Sequence, residues 1–185
     1  MPGKNTHQIN IRLDSENFSL LRQISKDTRQ SPSAIGAQII SQWIEFYHYK
    51  IHNGDIMFSK PILKKIVGIL DKSKIDKASK FMARHIIKEI KLQEGDVTYP
   101  VLAEHILKWN KGNHLKLNKI TQQNSNHNED GLDIFISKHN LGYNWSELEC
   151  KTYANAFESI GQHVISSEYD EDMFCIKVIN RDGKQ

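Results

Sequence analysis

The stretch QINIRLDSENFSLLRQISKDTRQSPSAIGAQIISQW, residues 8–43, decides the fold of the N-terminal part of the chain. From Gln8 to Leu13 it alternates polar and apolar side chains, which is the period of a β-strand with one buried and one exposed face. The apolar side of this predicted strand is formed by Ile9, Ile11 and Leu13. The polar side is formed by Gln8, Asn10 and Arg12.

Two amphipathic helices are predicted to follow the strand. Asp14 or Ser15 can cap the first helix, whose apolar residues recur at helical spacing as far as Thr28. Ser31 followed by Pro32 predicts the start of the second helix, because serine is a favourable N-cap and proline at the first helical position loses no hydrogen bond. The second helix is expected to be longer than the first.

A single short strand with two helices is a poor monomer, because the strand leaves its backbone N–H and C=O groups unpaired along both edges. Pairing with a second copy would give an antiparallel two-stranded ribbon, closed over the four helices of an intertwined dimer. A ribbon of this kind fits the major groove of B-DNA, where arginine recognises guanine and glutamine or asparagine recognises adenine. Gln8, Asn10 and Arg12 are therefore predicted to read bases.

The same stretch resembles the ribbon-helix-helix repressors typified by Arc, MetJ and CopG. The strand QINIR is similar to the base-reading strand of Arc, and QSPSAIGAQIISQW is similar to the helix junction of CopG-type proteins. The resemblance runs from about Thr6 to Tyr47 and implies that Ser31 and Ser33 hold a DNA phosphate, consistent with the positive end of a helix dipole.

The chain departs from this family at two positions. Arg29 stands where many members have glycine, so the turn between the helices either changes its geometry or holds a left-handed arginine. Pro32 removes one N–H from the phosphate-binding end of the second helix.

The fold class predicted for the whole chain is α+β: a ribbon-helix-helix dimer, then a helical segment and a ββαββ C-terminal domain. The second helix is expected to reach Tyr49, and the turn-like residues His52 to Asp55 are predicted to separate a DNA-binding domain, 1–50, from a C-terminal domain, 56–180. The predicted helices of that domain are Lys60–Leu70, Ile75–Ile90, Thr98–Trp109 and one that starts at a capping box of Asn144 and Glu147. The predicted strands are His114–Ile120, Leu132–Ser137, His163–Ser167 and Met173–Ile179.

Composition sets the broad class of the protein. With 38% hydrophobic and 25% charged residues, most of the 185-residue chain should form packed domains. A net charge of +3 is compatible with nucleic-acid binding without requiring it. Because the sequence has neither a long apolar run nor a secretory signal, we expect a cytoplasmic protein with no membrane partner, and we expect its two cysteines to be free thiols.

Other candidate sites are less well supported by the sequence. A nickel-responsive ribbon-helix-helix family has a similar layout but uses a His-x-His pair, which this chain lacks, and no metal or other cofactor is predicted. The spacing of His48 and His52 could hold a metal, as could Cys150, His163 and Cys175 if the fold gathered them, but surface and packing roles are favoured. The segment from His139 to Trp145 could bind a ligand, but a turn into a helix is favoured. No nucleophile motif or phosphate-binding glycine loop is present, so we do not expect an enzyme.

The sequence therefore predicts a transcriptional regulator, a repressor by the resemblance, that binds double-stranded DNA as a homodimer or higher homo-oligomer. Two-fold symmetry implies a palindromic or repeated operator. The C-terminal domain would sense a small molecule, bind a protein or extend the oligomer. Two alternatives stay open: an antitoxin that regulates its own expression, and a protein-interaction module that has lost DNA binding.

A basic stretch extends across the first two helices predicted for the C-terminal domain. Its seven lysines either add phosphate contacts or form a solvated surface: Lys60, Lys64, Lys65, Lys72, Lys74, Lys77 and Lys80.

Overall fold

The chain divides into two compact units. A computed structural model describes residues 9–47, 58–113, 115–122 and 131–180. The units are Met1–His48 and Tyr49–Gln185, and the predicted boundary turn at 52–55 lies outside the described residues. Six α-helices, one short π-helix and a four-stranded antiparallel sheet make the described part of the chain an α+β protein. None of the helices in these ranges has the length and hydrophobicity needed to cross a bilayer.

Helix α1 (Ser15–Thr28) and helix α2 (Pro32–Gln42) form the N-terminal unit. Asp14 caps α1 by accepting the N–H of Asn17 at 2.7 Å, and Ser31 caps α2 by accepting the N–H of Ala34 at 3.1 Å. Both predicted helix starts are thus confirmed. The second helix was expected to be α-helical to Tyr49, but its α-helical part ends earlier and passes into a π-helix, Trp43–Tyr47.

The predicted ribbon strand is not formed in the single chain. Gln8 lies outside the described residues, and residues 9–14 have no regular secondary structure. The side chains of all six are exposed, so the expected division into a buried and an exposed face is wrong for one isolated chain. The physical reason is that strand N–H and C=O groups need a second strand, and the described part of the N-terminal unit offers none.

The C-terminal unit follows the predicted ββαββ order. Its eight elements are α3 (Lys60–Gly68), α4 (Lys72–Glu94), α5 (Tyr99–Gly112), β1 (Lys116–Gln122), β2 (Gly131–Lys138), α6 (Tyr143–Ser159), β3 (His163–Tyr169) and β4 (Met173–Asn180). The strands are arranged in the order β1-β2-β4-β3, with every neighbouring pair antiparallel. Each hairpin places its second strand at the centre, so β2 and β4 pair with each other.

The main core lies between helices and one face of the sheet. Phe135, Phe174 and Ile176 point from β2 and β4 into this core, and none is more than 1% exposed. Phe157 of α6 meets them, with its ring centroid 5.2 Å from that of Phe135. A smaller cluster, which includes Val67 of α3, packs against the N-terminal end of α6. Burial of these side chains is the main force that holds the helices on the sheet.

Asn144 corrects the predicted capping box. Helix α6 has Gly142, at φ +93°, in its N-cap position, and Asn144 lies within the helix. The Asn144 side-chain amide instead donates to the backbone carbonyls of Val67 at 3.2 Å, Gly68 at 3.3 Å and Leu70 at 2.9 Å. It therefore closes the C-terminal end of α3, whose last carbonyls have no partner within their own helix.

A buried carboxylate anchors the edge strand β1. Asp133 of β2 is fully buried and accepts hydrogen bonds from the hydroxyls of Tyr99 and Thr121, the latter at 2.5 Å. Lys119 of β1 approaches it at 2.7 Å. Burial opposes ionisation, but the three donors outweigh it and hold the pKa of Asp133 below its ordinary value. The charge is thus compensated, and removal of one partner would be costly.

Glu149 of α6 is buried without a cation. Its Oε1 accepts the Tyr153 hydroxyl at 3.1 Å, and burial raises the Glu149 pKa to about 8. The folded protein therefore keeps this carboxyl protonated near neutral pH, whereas the unfolded chain ionises it above its ordinary pKa of 4.5. Because the unfolded state then binds fewer protons, the free energy of unfolding falls as the pH rises from about 4.5 to about 8, by at most about 1.4 kcal/mol per unit.

Replacing Glu149 with glutamine should remove most of this pH dependence, because glutamine keeps the volume and the acceptor but does not titrate. Urea unfolding at pH 5.5 and pH 8, followed by tryptophan fluorescence, should show a smaller loss of stability in Glu149→Gln than in the parent. Glu158→Gln, at an exposed position of the same helix, is the matched control and should behave as the parent. Identical pH dependence in all three proteins would show that Glu149 is ionised in the fold.

Candidate nucleic-acid interface

The two described base-reading candidates lie immediately before α1. Asn10 and Arg12 are exposed, and Gln8 lies outside the described residues. The backbone of Asp14 is extended, at φ −66° and ψ 168°, so the chain enters the helix from a conformation that a strand also uses. The hydrogen bond from the Asn17 N–H lowers the pKa of Asp14, which keeps the capping carboxylate ionised.

The junction between the helices is a closed turn with a left-handed arginine. Arg29 has φ 55° and ψ 35°, the conformation that glycine adopts most easily. Its N–H donates to the carbonyl of Lys26 at 3.3 Å, and the N–H of Gln30 donates to the carbonyl of Ser25 at 3.2 Å. This pair of bonds is a Schellman motif, so the chain resolves the missing glycine by accepting strain at Arg29 rather than by changing the turn.

The two predicted phosphate ligands meet at the start of α2. The Ser31 Oγ accepts from Ala34, which leaves its hydroxyl hydrogen to donate, and the Ser31 carbonyl accepts the N–H of Ile35 at 3.1 Å. Pro32 has no N–H. Ser33 is exposed, and its N–H has no acceptor among the residues that the structure describes. This helix end can therefore offer an oxyanion two hydroxyls and one N–H.

The N-terminal unit exposes most of its apolar side chains. Of the side chains described between residues 9 and 47, only Ile35 is buried. Exposed fractions between 46% and 67% are found for Ile9, Ile11, Leu13, Phe18, Leu20, Ile24, Ile39, Trp43 and Ile44. We call these nine residues the N-terminal apolar surface. The sequence analysis did not include Leu20 and Ile44 in the apolar faces of the helices. Each is adjacent in sequence to another apolar residue, Leu21 or Trp43, and such neighbours indicate a wider apolar face.

The basic stretch is exposed throughout. All seven of its lysines lie on α3 or α4 with solvent-accessible side chains. Lys74 pairs with Asp71 at 2.8 Å, at the start of α4. An exposed pair of this kind contributes little to stability, so the lysine remains available to an anion.

The cysteine and histidine side chains considered as metal ligands do not form a metal site within the described residues. Cys150 is buried on α6, and burial raises its pKa to about 12. His163 is exposed at the start of β3, and Cys175 is half-buried on β4. Within residues 9–47, 58–113, 115–122 and 131–180, no group of three or more histidine, cysteine or acidic side chains could hold a metal ion. His48 and His52 lie outside these ranges.

The segment from His139 to Trp145 is a turn into α6. The buried His139 accepts the Leu141 N–H on Nδ1 at 2.9 Å, so its Nε2 carries the hydrogen and donates to the Ser146 hydroxyl at 2.9 Å. Burial lowers the His139 pKa to about 4. This is the wrong tautomer for a base that activates Ser146, and both side chains are buried, so the pair stabilises the turn.

No protein-family model, curated protein or solved structure matches this chain. The ribbon-helix-helix interpretation is therefore carried by the residues between Thr6 and Tyr47 themselves.

Replacing Arg29 with glycine should stabilise the N-terminal unit. A non-glycine residue in the left-handed conformation lowers the free energy of unfolding by roughly 1 to 2 kcal/mol. Glycine avoids this strain, but it is more flexible in the unfolded chain, and this offsets part of the gain. We expect the Arg29→Gly protein to unfold at a higher temperature than the parent in calorimetry. Arg22→Gly is the control: at a helical position within α1 it should lower the midpoint. A lower midpoint for Arg29→Gly would show that the turn is not strained.

Proposed function

We propose that the chain is a DNA-binding transcriptional regulator whose N-terminal units pair as a ribbon-helix-helix dimer. The observation that carries this proposal is the N-terminal apolar surface, exposed in a unit in which Ile35 alone is buried among the side chains that the structure describes. Complete burial of an isoleucine, leucine or phenylalanine side chain contributes roughly 1.5 to 3 kcal/mol, so a second copy that covers these side chains would be strongly held. Monomers rarely expose this many large apolar side chains within about forty residues.

Strand pairing would complete the dimer. Two copies of residues 9–13, aligned antiparallel across a two-fold axis, would satisfy each other's backbone groups and direct Ile9, Ile11 and Leu13 onto the helices. Asn10 and Arg12 would then project from the other face, together with Gln8, towards base edges in the major groove. The palindromic or repeated operator follows from the two-fold symmetry.

The phosphate contacts proposed here are few. Residues 9–47 contain four basic and four acidic side chains, so overall attraction to DNA contributes little in this unit. Positioning would depend on directed contacts from Ser31 and Ser33 at the start of α2. Because salt dependence follows the number of phosphates neutralised by cations, binding should weaken with salt less steeply than in a strongly basic DNA-binding protein.

Sequence selection from random duplexes with the purified full-length protein tests the proposal. Enrichment of a palindromic or directly repeated site supports a dimeric major-groove reader. Absence of any enriched site at low salt contradicts it and favours the protein-interaction module. An antitoxin would also enrich a site, and would in addition have a toxin gene beside its own.

Replacing Arg12 with alanine should weaken specific binding while the dimer stays folded, because no apolar contact is removed. We expect a loss of about 1 to 3 kcal/mol for each base pair contacted, with relaxed preference at that position and a much smaller loss on random DNA. Arg12→Lys should restore little of the specificity, because an ammonium lacks the planar two-donor edge of guanidinium. Titration of the selected operator by fluorescence anisotropy measures these effects.

Arg22→Ala is the matched control, since it removes the same charge from an exposed position of α1. It should bind the operator almost as tightly as the parent. Undiminished affinity and selectivity in Arg12→Ala, combined with loss of binding in Lys64→Ala, would transfer the DNA site to the basic helices α3 and α4.

A further inference from the structure

Helix α4 concentrates positive charge that the rest of the chain lacks. Its 23 residues include seven lysine or arginine residues and three carboxylates, which gives the helix a net charge of +4. The remainder of the 185-residue chain has 18 cations and 19 carboxylates, a net charge of −1. Clustered charge of one sign attracts a polyanion, whereas interspersed charges of both signs cancel at a distance. The mildly positive charge of the whole chain therefore comes from this one helix.

Five of these cations form a row along one side of α4. They follow one another at spacings of three or four residues, which keeps them within about a quarter of the helix circumference. All five side chains are exposed, and the residues are Lys77, Lys80, Arg84, Lys88 and Lys91. The buried residues of the helix, among them Ile75, Ala83 and Ile90, lie on the opposite side. We call the five exposed cations the α4 cation row.

The carboxylates of α4 do not neutralise the row. Asp76 pairs with Lys151 of α6 at 2.5 Å, and Glu89 pairs with His85 at 3.6 Å. The third carboxylate, Glu94, is the last residue of the helix. No member of the row takes part in the ion pairs that the described residues form with one another. The row therefore presents its charge to solvent.

The length of the row fits the phosphate backbone of a nucleic acid. From Lys77 to Lys91 the helix rises about 21 Å, at about 1.5 Å per residue. One DNA strand places roughly six phosphates over the same axial length, at about 3.4 Å each. The Arg84 Nε donates to the Lys80 carbonyl at 3.2 Å, which uses one of the five N–H groups of the guanidinium and directs it along the row. The row thus matches a short run of phosphates in both charge and length.

An anionic membrane is the other polyanion with an extended surface. A helix that binds a membrane surface inserts a continuous apolar side beneath its charged side. In α4 the apolar side is buried within the domain. Among the residues of this helix, all of which the structure describes, the exposed large apolar side chains are Phe81 and Leu92. The helix is therefore better suited to phosphates that it contacts from outside than to lipid that it would have to penetrate.

We infer that the α4 cation row binds the phosphate backbone of double-stranded DNA without regard to base sequence. The choice of duplex DNA rests on the proposed function, in which the same chain reads an operator. Because the N-terminal unit has little net charge, the row supplies most of the affinity for random sequence, and it adds to the shallow salt dependence expected of that unit. Base contacts then determine which site is preferred, and the row determines how strongly any duplex is held.

Titration of a random-sequence duplex with the full chain, at several salt concentrations, tests the row. Arg84→Gln combined with Lys88→Gln removes two charges, and glutamine keeps a similar helix propensity. Because each phosphate contact releases counterions, the slope of log Kd against log salt should become shallower by about 0.9 per contact, or about 1.8 for one chain in contact. The Kd near 0.1 M salt should rise roughly ten- to hundredfold.

Two further variants make this result specific to the row. Lys77→Gln combined with Lys80→Gln should reproduce the change in slope, so a local folding defect in one variant does not decide the outcome. Lys116→Gln combined with Lys138→Gln removes the same charge from exposed positions of the sheet and should leave the slope close to that of the parent. Unchanged slopes in both row variants would overturn the inference. So would an equal change in the sheet variant, because net charge alone would then explain the binding.

Vesicles that contain phosphatidylserine distinguish the two polyanions. Loss of vesicle binding in the row variants, together with unchanged affinity for the duplex, would assign the row to a membrane and contradict the inference. Failure of the proposed function gives a different pattern. In that case no operator is enriched and Arg12→Ala binds every duplex as the parent does, while the row variants still lose affinity for the random duplex.

Discussion

An uncovered apolar surface is the constraint on which the N-terminal unit depends. Ile9, Ile11 and Leu13 carry apolar side chains that the described part of a single chain leaves exposed, in a segment without regular secondary structure. A second copy that pairs with this segment would cover them, and the same pairing would create the polar face proposed to read DNA. Folding, dimerisation and recognition would then be one coupled process, so a change at Ile11 should affect all three.

The C-terminal unit meets the same requirement within one chain. Its strands pair with one another, its buried carboxylate Asp133 is compensated by neighbouring donors, and Asn144 closes the end of a helix more than seventy residues away in sequence. What the described helices leave open is the other face of its sheet, where Ile134 and Cys175 are half-buried.

Local signals predicted most of the fold. The Asp14 cap, the Ser31 and Pro32 helix start and the ββαββ order each depend on residues close in sequence. The role of Asn144 could not be predicted in this way, because the carbonyls that it contacts belong to α3 and come near only through tertiary packing. The covered face of β2 could not be predicted either, because alternation places the apolar Leu132, Ile134 and Ile136 on one face, whereas the helices cover the opposite face, which carries Asp133, Phe135 and Ser137.

For the candidate site, the sequence indicated side-chain chemistry but not geometry. Arg12 and Asn10 were identified by alternation, and the structure shows them exposed in a segment without regular secondary structure, so it does not give the direction in which they would face DNA. The left-handed Arg29 was one of two geometries left open by the missing glycine, and only the backbone decided between them.

Amide hydrogen exchange of residues 9–13 in the full-length protein tests the central claim most directly. In a two-stranded antiparallel ribbon only alternate residues exchange hydrogen bonds with the partner strand, so their amides should be protected while those between them exchange freely. Protection that alternates along the segment, and that disappears in Ile11→Glu, is the result expected of the ribbon dimer. Exchange of all five amides at the rate of an unstructured peptide would contradict it.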